Sequence, residues 1–543
     1  MDSDSSSATG TNKYVPEYRR TNFKNKNKFS AEELRKRREN QQVELRKNKR
    51  EEVLAKRRNM AALTESSNDG ATNDFLHSAD NDGLQDILPG IIQKMLSNDL
   101  SEQLNGSIAL RQLLSKEDNP PIRQVLDSGI LPRLIEFIGV NQPDQLQHEA
   151  SWAITNLCSG SSEDTARVVN ANILPPMVQL IDSNNIDVKE QAIWCISNIA
   201  GDSPEHRDMC VKIGVIAKLL DCFELNKTSL TKTCIWTLSN MCRGKSARHN
   251  WPIISSALPA ISKLIYSMDA DILGDALWTL SYISDGDDTV IETVLKYNVA
   301  SRLVQLLNHS FTQVQTPALR TVGNLLTGSD MFTQTLLAAR VLEPLANLLS
   351  SQKEHLRKEA CWCFSNILAG TLQQAKEVIS IGIVPKLLEI IETDTDRVKK
   401  EALWCICNAC AAGNLDPEII RYLVANGVIK TFCEQLTSMD VKNILLVLDS
   451  IEQILKIGEA DKEAHQLVLN EYASLFEQFG GADTIFNLQS HESSEVYQKA
   501  FNIVDKYFSD EDEAEALLND ENGNIPNQFS YNANNINTQN FQF

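Results

Sequence analysis

The chain has 543 residues, is 42% hydrophobic and 23% charged, and carries a net charge of −20. That length exceeds one ordinary globular core and points to several domains or one extended array. No run approaches about 18 consecutive apolar residues, so neither a membrane span nor a secretory signal is expected, and the twelve cysteines read as reduced thiols of the cytosol or nucleus.

Residues 1–12 are Ser/Thr-rich and read as disordered. Residues 13–59 form a basic arm: from Lys13 to Arg58 it holds 17 Lys/Arg against 7 Asp/Glu. No Pro or Gly interrupts 31–59, and Ser30 with Glu33 makes a capping box, so a helix is expected there. Its apolar positions (Leu34, Val43, Leu45, Val53, Leu54) are too few to bury a stripe, so it should fold on a partner. Residues 60–87 read as a flexible polar linker. The body that follows is strongly acidic, and residues 59–543 carry a net −28.

From residue 88 to 508 the chain repeats. Trp152, Trp194, Trp236, Trp278, Trp362 and Trp404 lie on one 42-residue grid, with Arg320 at the missing beat. Four residues later stand Asn156, Asn198, Asn240, Tyr282, Asn324, Asn366 and Asn408, and a glycine follows that is expected to end the helix. Ahead of each tryptophan runs a short apolar segment such as NILPPMVQLI or GIVPKLLEII, often opened by proline. Two or three helices per 42 residues is the armadillo/HEAT class. The expected fold is all-α: a right-handed armadillo-repeat superhelical solenoid of about ten repeats. Both ends lose the Trp and Asn (Leu110 and Leu446 occupy those beats), as capping repeats do. Residues 509–543, acidic and then Asn/Gln-rich, read as disordered.

Trp and Asn four apart share one helix face. One reading makes the tryptophans core and lets the asparagines bridge repeats. The other makes them a groove for an extended peptide, in which amides pair with ligand backbone and indoles form slots for aliphatic stems and cations. Ala192, Ile193, Ile196 and Ile199 already give the Trp194 helix an apolar face, which favours the groove. Asp202, Asp275, Asp285, Asp330, Glu359 and Glu401, on or just after these helices, would select Lys and Arg. The expected ligand is therefore a basic peptide.

An enzyme is not expected, because no Walker loop, GxSxG, HExxH or dinucleotide fingerprint occurs. No cofactor is expected either. Cys405, Cys407 and Cys410 lack a second ligand cluster, so no metal site is expected. The acidic body would repel nucleic acid. An armadillo scaffold of the adhesion or signalling kind, which binds acidic peptides, is the alternative. It would need a basic groove.

SWAITNLCSGSS, QAIWCISNIAGD, TCIWTLSNMCRG, PALRTVGNLLTG and ACWCFSNILAG resemble repeats two, three, four, six and seven of the importin-alpha (karyopherin-alpha) family, most closely its fungal members. Residues 16–59, from PEYRRTNF to LAKRRN, resemble its importin-beta-binding domain. The resemblance implies a nuclear import adaptor for mono- and bipartite nuclear localisation signals. It implies a major site of Trp152, Asn156, Trp194, Asn198, Trp236 and Asn240, with Asp202 capturing the key lysine, helped by Gly160 and Ser161, and Asp275 nearby. It implies a minor site of Trp362, Asn366, Trp404 and Asn408 with Glu401 as its acid, and Tyr282, Arg320, Asp330 and Glu359 beside it. The break at Tyr282 and Arg320 would leave two pockets. Lys56-Arg57-Arg58 resembles the family's internal signal mimic, with Arg35, Lys36, Arg37 and Arg38 a second basic cluster in the arm. Implied partners are signal-bearing cargo, importin-beta, the export receptor with Ran-GTP, and nuclear pore components. The implied localisation is shuttling between cytoplasm and nucleus, with residence at the envelope and pore.

Overall fold

The repeat unit is built from local rules that recur along the chain. Short helices at Leu131–Phe137, Leu174–Leu180, Leu258–Leu264 and Val384–Thr393 all carry proline in their first two positions, where a missing N–H breaks no helical hydrogen bond. Just before the equivalent helices the backbone turns left-handed, at Asn172, Gly214, Asn298, Arg340 and Gly382. Gly and Asn accept that conformation readily; arginine, with φ at +63°, does not. A longer helix follows in every unit: Asp144–Leu157, Ile186–Asp202, Thr228–Cys242, Ala270–Ile283, Thr312–Leu325, Glu354–Leu368 and Asp396–Gly413. The Trp-bearing helices pack on one another in chain order, the first four in one series and the last two in another.

This is a computed structural model, and it describes residues 81–116, 119–244, 250–438 and 440–508. Among them all regular elements are helices and no strand occurs, so the chain is an all-α protein of stacked repeats. The basic arm with its expected Ser30–Glu33 capping box, residues 1–12 and the tail from 509 lie outside the described residues. The first described helix, Asn81–Met95, begins ahead of Leu88 and draws the end of the expected linker into regular structure.

The described residues fall into two compact units. One comprises 81–302 and 309–321; the other comprises 303–308 and 322–508. In the first unit, Ala192, Ile193, Ile196 and Ile199 are fully buried, as the apolar face of the Trp194 helix requires. In the second, Arg357 forms a bidentate pair with Asp394 through Nε (2.6 Å) and Nη2 (2.7 Å). The hydrogen bond from Arg357 holds the Asp394 carboxyl below the usual carboxylate range against the opposing effect of burial. Cys405 donates from Sγ to the carbonyl of Cys361 at 3.0 Å, and burial pushes the Cys407 thiol up to about 12.

The repeat glycines do not act as expected. Of the seven, only Gly244 is left-handed, and the Trp194 helix runs through Gly201 to Asp202. Their purpose is close approach to the next helix: a Cβ on Gly286 would overlap Val290, one on Gly370 would overlap Gln374, and one on Gly413 would overlap Ile420. The left-handed turn sits instead before the short helix. Arg340 is the residue there with neither glycine's freedom nor asparagine's local hydrogen bonding, and its side chain is exposed. Arg340→Gly should therefore raise stability by about 1 kcal/mol, read as a higher denaturant midpoint at unchanged slope. A lower midpoint would show that the backbone there is unstrained.

Candidate functional site

A tryptophan and the asparagine one turn after it occupy the same face of each long helix, but the two side chains are held differently. The asparagine amides are nearly enclosed, with 4% of Asn156, 1% of Asn198, 5% of Asn240 and 3% of Asn408 exposed. Such amides need partners, and their Nδ2 groups find them in the preceding repeat. Asn156 donates to Ser115 Oγ (3.0 Å), Asn198 to the Thr155 carbonyl (3.1 Å) and Asn240 to Ser197 Oγ (3.1 Å). In the second unit Asn408 donates to the Ser365 carbonyl at 2.7 Å. Asn366 is 9% exposed. Asn156, Asn198, Asn240 and Asn408 thus bridge repeats with their N–H groups, whereas the Nδ2 of Asn366 is buried without a hydrogen-bond partner among the described residues. The Oδ1 atoms of Asn198 and Asn408 are buried and have no hydrogen-bond partner among the described residues.

The tryptophans of the first unit are only partly enclosed, apart from Trp194 at 7% exposure. Trp152 already carries a cation: Arg111 Cζ lies 4.6 Å from its ring centroid, and His148 meets the ring edge-on at 5.7 Å. Arg111 is itself buried and pairs with Glu149 Oε2 at 2.8 Å. Burial raises the Glu149 carboxyl, but the His148 hydrogen bond and the Arg111 cation outweigh it and leave the group below its usual range. Trp194 and Trp236 lie in contact, with centroids 5.0 Å apart and planes tilted by 55°. A methylene stem between two ring faces needs about 7–8 Å, twice the contact distance between carbons. The expected slot between these indoles is therefore closed, and a stem would pack on their outward faces.

Asp202 ends the Trp194 helix with its side chain 6% exposed. Ser162 Oγ donates to its Oδ1 at 2.8 Å, and His206 Nδ1 lies 3.1 Å from its Oδ2. Ser161, the expected helper, is instead the N-cap of helix Ser162–Asn170, in a reciprocal capping box with Asp164. Gly160 precedes it, and a Cβ there would crowd Asp164 and Ile122. Asp275, on the Trp278 helix, is half-buried. Trp278 stacks on Tyr282 (6.0 Å, 27°), so at this beat the residue four places on covers the indole instead of flanking a slot.

Tyr282 and Arg320 belong to the first unit, whereas Asp330, Glu359, Trp362, Asn366, Glu401, Trp404 and Asn408 belong to the second. Within the second unit Trp362, Trp404 and Glu401 are half-buried. Glu359 is 5% exposed, with Lys358 Nζ 3.6 Å from its Oε1, so it faces inward more than Glu401 does. Asp330 opens helix Asp330–Ala338. The Trp362 ring rests where a side chain on Gly323 would be, since a Cβ at Gly323 would overlap the indole. Reading the sequence missed Gly323, Arg111, Ser162 and His206. A glycine in the middle of a helical pattern, and a histidine one turn after Asp202, were the signals available for two of them.

The profile of the importin beta binding domain matches residues 19–108, and that of the armadillo/beta-catenin-like repeat matches 118–159, 161–201, 251–285, 287–327, 329–369 and 372–411. An atypical Arm repeat matches 470–525. The chain is 70% identical over 514 residues to importin subunit alpha of Saccharomyces cerevisiae, covering 94% of this chain and 95% of that one. The chain belongs to the importin-alpha family. Importin subunit alpha-1 of Schizosaccharomyces pombe is 44% identical over 158 residues, 29% of each chain. The crystal structure of an engineered protein aligns over 78% of this importin-alpha chain and 99% of its own with a TM-score of 0.70; at 22% identity that likeness concerns the fold alone.

Gly323 gives this part of the importin-alpha chain a test. Gly323→Ala should displace the Trp362 indole and weaken a lysine-rich peptide that depends on Trp362 and Trp404 by about tenfold, while helix propensity at the site improves. Peptide titration followed by tryptophan fluorescence reads both the ring and the affinity. An unchanged titration would mean that Trp362 takes no part in binding.

Proposed function

We propose that this nuclear import adaptor binds lysine-rich localisation signals at two pockets, one in each unit. Trp152, Asn156, Trp194, Asn198, Trp236, Asn240 and Asp202 make the first. Trp362, Asn366, Trp404, Asn408 and Glu401 make the second. The observation that carries the reading is Asp202, a carboxylate set beside a Trp–Asn ladder on an acidic body. A lysine ammonium reaches the acid and its stem lies on the outward faces of the indoles. An armadillo scaffold for acidic peptides would need cations at these positions.

The arm supplies the regulation. Lys56-Arg57-Arg58, with Arg35–Arg38 earlier in the same arm, competes for the first pocket, and tethering gives it an effective concentration of roughly mM. Importin-beta binds residues 13–59 and frees the pocket for cargo. In the nucleus Ran-GTP removes importin-beta, the arm returns, and cargo leaves. An export receptor with Ran-GTP then recycles the adaptor through the pore, whose components are further partners, so the protein shuttles between cytoplasm and nucleus. The adaptor role needs no catalysis.

Two measurements bear on this. Asp202→Lys should abolish binding of a peptide with one lysine cluster to the first pocket with helical circular dichroism retained; full binding would place the lysine elsewhere. Removing residues 1–59 should tighten that peptide several-fold in a fluorescence anisotropy titration, because the tethered competitor is gone. Equal affinity with and without the arm would exclude autoinhibition.

A further inference from the structure

Asp202 sits where its own helix least supports it. It is the last residue of Ile186–Asp202, at the negative end of the helix dipole, and its side chain is 6% exposed. A carboxylate in that position is stable only if donors from elsewhere hold it. Both come from other helices. Ser162 is the first residue of Ser162–Asn170 and donates to Oδ1 at 2.8 Å; His206 lies in Pro204–Lys212, with Nδ1 3.1 Å from Oδ2. His206 is fixed in turn, because its backbone N–H is capped by Ser203 Oγ at 3.2 Å.

We propose that Ser162 and His206 are positioning residues that clamp Asp202, one on each oxygen, and so make the first pocket accept an ammonium in preference to a guanidinium. This rests on the reading of Asp202 as the lysine acceptor. A carboxylate has about four lone-pair positions, and the clamp takes one on each oxygen. What remains open is a narrow edge. An ammonium is a compact group that needs one acceptor and rotates its three donors to suit. A guanidinium fork is planar and binds best when both oxygens present themselves together on one open side. Clamped and nearly enclosed, Asp202 offers the first arrangement and not the second. Neither positioning residue needs to touch the ligand.

The test compares two labelled heptapeptides on the full chain by fluorescence anisotropy. One has a central run of four lysines; the other replaces with arginine the lysine whose loss costs most affinity. Ser162→Ala/His206→Phe should reduce the lysine-over-arginine preference about tenfold, with His206→Phe keeping ring volume and removing the Nδ1 contact. His206→Asn, which retains an amide donor, should keep most of the preference, a rescue that a purely structural role does not predict. If the double variant loses helical circular dichroism, Ser162→Ala carries the test, since Ser162 is exposed, and a drop of about threefold is expected. An undiminished preference in the folded variants overturns the clamp. Asp202→Asn is run alongside: lost lysine-peptide binding there supports the pocket itself, and unchanged binding overturns the pocket and the clamp together.

Discussion

An amide nearly enclosed between two helices must be hydrogen-bonded, and here its partner lies one repeat back. Asn198 reaches the carbonyl of Thr155, Asn240 the hydroxyl of Ser197, and Asn408 the carbonyl of Ser365. A lost partner would leave a buried polar group costing on the order of 1–3 kcal/mol, so each bond fixes the offset between neighbouring long helices. That offset sets where the indoles fall. Trp194 meets Trp236 at 5.0 Å because the helices carrying them are held in that register. These asparagines are thus fasteners of the scaffold. For Asn156, Asn198, Asn240 and Asn408 the bridging reading of the Trp–Asn repeat therefore holds, since the N–H side of each amide serves the fold.

The consequence for recognition is a division of labour. In the proposed binding mode the rings provide apolar and cation-attracting surface, and a small number of carboxylates choose the charge. In the first unit the series begins with Trp152, against whose ring lies Arg111, itself paired with Glu149, and ends where Tyr282 stacks on Trp278. At both ends a group of the chain itself lies on an indole.

Much of this was legible in the sequence. The 42-residue grid gave the repeat class, and the apolar face of Ala192, Ile193, Ile196 and Ile199 gave the burial of the Trp194 helix. The interruption at Tyr282 was visible, but its mechanism, a ring stacked on Trp278, depends on a side-chain rotation that spacing does not encode. The glycines were misread because a glycine after a helix most often supports a left-handed cap, whereas here most of them admit a neighbouring helix at close range. Ser162 was overlooked in favour of Ser161, since a capping box and a hydrogen bond to a neighbouring carboxylate draw on the same residue types and only geometry separates them. Arg111 could not have been found, because its partners Glu149 and Trp152 lie one repeat on and nothing in its local context marks it.

Two pockets, one per unit, are the centre of the account, and stoichiometry addresses them most directly. Calorimetric titration of the protein lacking residues 1–59 with a peptide bearing a single lysine cluster should give two equivalents bound. Asp202→Lys and Glu401→Lys should each leave one. A single equivalent in the unsubstituted protein, or two equivalents surviving in either variant, would contradict it.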